Sequence, residues 1–249
     1  MRQSLSLGRI FGIDVRVHAT WLLAFAFVTW GLASGYFRSI FPYQQGLALP
    51  LLFGAISAVL LFASVLVHEI SHSLVAKARG MRVRDITLFL LGGVSNIDGE
   101  MSGALDEFLI SAVGPLTSFA LAAVFWAFGH ATTATPALAI LNYLAFINLL
   151  LGVFNLLPAF PMDGGRVFRS VIWGITHRYG RATAIAATVG QVFGGVLLAL
   201  GVVRIVFGDV MGGVWMLLIG WFLIQSAGAA RHDRARPEVA GPAMTPAAP

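Results

Sequence analysis

The chain has 249 residues, 58% hydrophobic and 11% charged, with no cysteine and a formal net charge of +5. Its mean hydropathy of +0.84 excludes an ordinary water-soluble domain and reads as a polytopic membrane protein. Without cysteine there is no disulfide, no thiolate metal site and no cysteine lipidation, so any metal must be held by His, Asp or Glu.

Six stretches are long and apolar enough to cross about 30 Å of hydrocarbon as helices. They run from Ala19 to Tyr36, Gly46 to His72, Phe108 to Phe128, Ala137 to Leu157, Ala182 to Val203 and Val210 to Ala229. With the N-terminus in the cytoplasm, all but Arg38 and Arg204 of the 16 Lys and Arg residues fall on the inner side. This positive-inside bias predicts cytoplasmic termini and places the later ends of spans two and four on the cytoplasmic side of the membrane. The positive charge is thus a topology signal and not a nucleic-acid surface. A signal peptide is the alternative reading of the first span, because three arginines precede it and Ala33, Ser34 and Gly35 end it.

Between spans two and three, Met81 to Glu100 carries two strand-like runs, Ile86 to Leu91 and Val94 to Ile97, around Gly92-Gly93. This predicts a β-hairpin with a Gly-Gly turn that dips into the membrane or lines a cavity. Ser111-Ala112-Val113-Gly114-Pro115 in span three, and Gly190 and Gly194 in span five, predict close helix approach. The fold class expected is therefore an all-α polytopic membrane protein with a short membrane-associated hairpin. Its domains are residues 1–230 within the membrane and a polar, Pro- and Ala-rich cytoplasmic tail, 231–249.

Span two ends in His68-Glu69-Ile70-Ser71-His72. Residues four apart share a helix face, so both imidazoles can reach one zinc ion at roughly 2.0 Å. Glu69 then lies beside the metal and can take a proton from a water on it. Ionisable groups inside a bilayer are costly when unpartnered, which points to function. A structural zinc or a proton-relay pair would also use the histidines, but a closed structural site has no use for Glu69.

A catalytic zinc needs a third protein ligand and one open position. Asp163 is the best candidate, in Asn155-Leu156-Leu157-Pro158-Ala159-Phe160-Pro161-Met162-Asp163-Gly164-Gly165-Arg166 at the inner end of span four. The prolines stop the helix, and the glycines permit a tight turn. Asp163 could equally cap a short interfacial helix from Arg166 to Arg178. His18, His130, His177 and His232 are poorer ligands, although His177 and His232 lie on the same side. Asn148 and Asn155 share a face of span four, where interhelical hydrogen bonding is the usual use of asparagine. For Asn155 the alternative is contact with substrate or with a developing oxyanion.

H-E-x-x-H in one span, N-x-x-P-x-x-x-x-D-G at the end of another and the Gly-Gly hairpin between them together resemble the site-2 protease family of intramembrane zinc metalloproteases. The resemblance covers most of residues 1–229 and is closest to the six-span branch without a PDZ domain. It implies one zinc ion per chain on His68, His72 and Asp163, Glu69 as catalytic base and Asn155 as an accessory catalytic residue. The implied partners are the bilayer, a membrane-spanning substrate cut in regulated proteolysis, and a regulatory membrane protein. The tail, with Met244-Thr245-Pro246, is similar to the opening of a CBS module or is disordered. A zinc transporter or scaffold is the rival from another class. A membrane protease acting on soluble chains, with a glutamate as third ligand, is a second.

Overall fold

The computed structural model describes residues 4–42, 46–90, 92–98, 101, 103–133 and 135–232. The tail from residue 233 onward, with its CBS-like segment, lies outside the described residues.

Alternating apolar and polar residues build a small sheet at one end of a helical bundle. Strand β1, Ser4–Ile10, pairs antiparallel with β2, Ile13–His18. After a helical crossover, β3, Arg82–Phe89, lies parallel to β2 and antiparallel to β4, Gly92–Asp98, giving the order β1-β2-β3-β4. Ile13, Val15, Ile86 and Leu88 point inward and are buried, two residues apart as a strand requires. The expected hairpin is thus one half of a four-stranded sheet, with β4 at its edge. Its reversal falls earlier than expected, with Phe89 opposite Gly92, so Gly92 and Gly93 belong to β4 itself. Among the described residues β4 has a strand neighbour on one side only.

The first predicted span is not one regular α-helix. Helix α1, Trp21–Gly31, continues through a π-helical segment, Leu32–Phe37, into the short α2, Arg38–Ile40, so that residues 21–40 are helical throughout. Among the described residues, five helices are long and apolar enough to cross a membrane. They are α3, Ala48–Ala78, α4, Ala104–His130, and α5, Thr135–Asn155, then, after the shorter α6, Asp163–Thr176, α7, Tyr179–Val206, and α8, Val210–His232.

Helix α3 runs beyond the expected end at His72. Leu74, Val75, Ala76 and Lys77 continue it until Gly80, at φ 83°, supplies the left-handed stop. His68 and His72 therefore stand inside the helix. Helix α4 packs against α3, and α5 packs against both. Asn148 Nδ2 donates to Ser64 Oγ at 3.2 Å, the α5-to-α3 bond expected of a buried asparagine. Pro158 and Pro161 follow the end of α5. The strongly amphipathic α6 then packs against α4 and α7, and α8 lies along α7. A Cβ on Gly194 would stand 2.7 Å from the Gly220 carbonyl oxygen, so α7 and α8 meet backbone to backbone.

Candidate metal centre

The four-residue spacing on α3 brings the two imidazoles together, with Nε2 of His68 and Nε2 of His72 3.1 Å apart. Asp163, the first residue of α6, reaches across and puts Oδ2 3.2 Å from each. Its carboxylate therefore faces the histidines. Ligands held about 2.0–2.1 Å from a tetrahedral zinc lie about 3.3 Å from one another. The three edges here, 3.1, 3.2 and 3.2 Å, outline one face of such a tetrahedron. Among the described residues these three form the one group able to share an ion. His18 Nδ1 instead lies 2.9 Å from Thr20 Oγ1, and His130 Nδ1 lies 2.9 Å from Trp126 O.

The far side of each ring is held by α4. His72 Nδ1 lies 2.5 Å from the Ile110 carbonyl, which can only accept, so Nδ1 carries a hydrogen and Nε2 is the nitrogen turned to His68 and Asp163. His68 Nδ1 is 2.9 Å from Ser118 Oγ, a hydroxyl able to play the same accepting part. Between these two sits Gly114. A Cβ there would stand 2.7 Å from His68 Nε2 and would clash with His72 Nε2, so only a bare backbone lets the rings converge. The donor set, the held rings and this clearance all fit a divalent metal.

Glu69 lies one residue along the helix and points to β4. Ser95 Oγ donates to Glu69 Oε2 at 2.8 Å, and Ser73 Oγ lies 3.2 Å from Ser95 Oγ. Gly93 is the second position where a side chain is excluded, since a Cβ would stand 2.5 Å from Glu69 Cγ. Gly93 thus serves the site, whereas Gly92, at φ 133° with open space where a Cβ would stand, serves the reversal between the strands. Asn155 donates from Nδ2 to its own helix at Leu151 O, 3.0 Å away, and lines the cavity beside the centre. That cavity, about 350 Å³, is bounded by the three candidate ligands, Glu69, Asn155, Arg166 and the face of β4 from Gly92 to Ser95.

Sequence reasoning did not foresee Ser118, Ile110, Ser95 or the pair Glu107 and Arg169. Glu107 is fully buried and ion-paired with Arg169 of α6. One signal was available. Glu107, Ile110, Gly114 and Ser118 fall three and four residues apart and so form a single stripe of α4.

The model of peptidase family M50 matches residues 56–135 and 129–198. A protein of Synechocystis whose name carries the term zinc metalloprotease is 39% identical over 94% of this chain and 61% of its own length. Another so named, Rip3 of Mycobacterium tuberculosis, is 42% identical over 95% of this chain and 60% of its own. The chain thus spans about three fifths of the length of these relatives. The solved site-2 protease from Methanocaldococcus jannaschii superposes with a TM-score of 0.61 at 31% identity, covering 92% of this chain and 95% of that one. With more than half of its residues matched by the family model and a solved relative aligned almost end to end, the chain belongs to peptidase family M50, the site-2 protease type.

Proposed function

We propose that this chain is an intramembrane zinc metalloprotease that hydrolyses peptide bonds in membrane-spanning segments of protein substrates. One zinc ion would be held by His68, His72 and Asp163 in a prokaryotic cell membrane, with the site toward the cytoplasm. The observation that carries the reading is the tetrahedral-edge spacing of those three donors beside a carboxylate that is not one of them.

Zinc, when bound, supplies a Lewis acid that polarises the scissile carbonyl and acidifies a water. Glu69 takes the proton of the attacking water and hands it to the leaving amine. Ser95 holds its Oε2 and so fixes the direction of the base. Asn155, with a second N–H not spent on Leu151, and Arg166 line the same cavity and offer donors to the substrate carbonyl. A peptide bond in an intact helix is covered and internally hydrogen-bonded, so a substrate must unwind before attack. The edge of β4 that no strand among the described residues pairs offers the unwound segment a partner by strand addition.

The test is zinc content and cleavage of a model transmembrane peptide by purified wild type, Glu69→Gln and Asp163→Ala. Glu69→Gln should keep its zinc and lose about 10²–10⁴-fold in cleavage rate, the ordinary contribution of a general base. Asp163→Ala should lose the zinc. Full cleavage by Glu69→Gln would overturn the assignment, and metal flux that survives the substitution would favour a transporter.

A further inference from the structure

Glu107 is the most deeply buried charge among the described residues, it pairs with the buried Arg169, and the mechanism above uses neither. Glu107 is wholly buried in the first turn of α4. Arg169 of α6 donates from Nε to Glu107 Oε1 at 2.8 Å, and its Nη2 reaches the same oxygen. The guanidinium is also enclosed by two rings, 5.1 Å from the Phe160 centroid and 4.8 Å from that of Tyr179. It is thus gripped from α4, from the loop just before Asp163 and from the start of α7. Arg169 lies six residues after Asp163, about 9 Å along the same helix.

Desolvating two charges offsets most of what their attraction returns, so an ion pair this deep is a poor device for stability alone. What it fixes is position. On α4, Glu107 belongs to the stripe that gives Ile110 O to His72, the bare Gly114 backbone to both rings and Ser118 Oγ to His68. On α6, Arg169 belongs to the helix that begins with Asp163. We propose that the Glu107–Arg169 pair is a positioning device for the metal centre, tying the helix that carries the third ligand to the helix that orients the first two. Neither residue touches metal or substrate. The pair acts through Asp163, and the inference rests on the zinc site read under Proposed function.

The experiment measures zinc affinity of the full chain in detergent by competition with a chromophoric chelator, and the visible spectrum of the cobalt-substituted protein. Wild type is compared with Glu107→Gln, Arg169→Lys, Arg169→Met and Asp106→Asn. Substitutions of groups that orient metal ligands typically weaken affinity 10–100-fold. Glu107→Gln and Arg169→Met should do so and alter the cobalt spectrum, while Arg169→Lys, which keeps a cation opposite Glu107, should lose less than Arg169→Met. Asp106→Asn is the control. Its carboxylate is adjacent and buried, but it pairs with Arg79 at the end of α3. It should leave zinc affinity within a few-fold of wild type.

A folded Glu107→Gln with wild-type affinity overturns the proposal, and so does a loss in Asp106→Asn as large as that in Glu107→Gln. If neither Glu107→Gln nor Arg169→Lys folds, the pair is a determinant of the fold, and the positioning role is likewise overturned. Failure of the wild type itself to bind zinc would instead overturn the reading of the site.

Discussion

A methyl group on Gly114 would occupy the space into which both Nε2 atoms project. Gly114→Ala should therefore cost zinc far more than it costs the helix, since alanine is the better helix former by about 1 kcal/mol. The expected outcome is at least a tenfold loss of zinc affinity with the melting temperature little changed; retained affinity would show that the rings can shift aside. Ser118→Ala removes only the partner of His68 Nδ1 and should weaken zinc binding 10–100-fold. These residues also show what the sequence carried. That His68 and His72 share one face was legible because residues four apart do so on a helix, and the approach of Asp163 because it follows a helix-stopping proline pair at the inner end of α5. Gly114 was visible only as a small residue, since nothing local says which side chains will meet it. Glu107 was not legible, because the partner that permits its burial lies 62 residues away.

At the scale of elements, the sheet is where pattern reading fell short. Ile13-Asp14-Val15-Arg16-Val17-His18 alternates as strictly as any strand, and Gly12 at φ 75° allows the reversal before it. Arg16 of this segment doubles as a topology signal, and a strand two residues from a hydrophobic run is easily absorbed into it. The first span shows the opposite limit: hydropathy finds a helical run but cannot see that a π-helical segment interrupts it. Ile86–Phe89 lies between β2 and β4, so proline there would break the interior of the sheet, whereas the open edge belongs to β4. Val94 and Ile97 are three residues apart, so their N–H groups point to opposite edges of β4. Proline at the outward-facing one of the two should lower peptide cleavage at least tenfold with zinc retained. Equal cleavage by both variants and wild type would remove strand addition from the mechanism.

Across the whole molecule, orientation in the membrane decides which compartment reaches the site. Helices α3 and α5 both deliver their C-terminal halves to the metal centre, His68 and His72 from one and Asn155 and the Asp163 turn after the other, so they run in the same sense with α4 returning between them. Lys77, Arg79, Arg82 and Arg84 follow the first delivery, and Arg166, Arg178 and Arg181 follow the second. Arg169 adds nothing to this charge, because Glu107 neutralises it internally. The remaining cations still outnumber Arg38 and Arg204 at the other end, and Arg204 itself pairs with Asp209. Basic residues flanking short loops are retained on the cytoplasmic side, so the site should open inward. The cysteine-free chain permits a direct test, since any cysteine introduced is the sole thiol. With a membrane-impermeant maleimide, Ala131→Cys and Phe207→Cys should react in intact cells, and Arg178→Cys only in inverted vesicles. The reverse pattern would put the catalytic cavity on the outer face. It would also require the arginines around α6 to be held there by contacts within the protein, as Arg169 is.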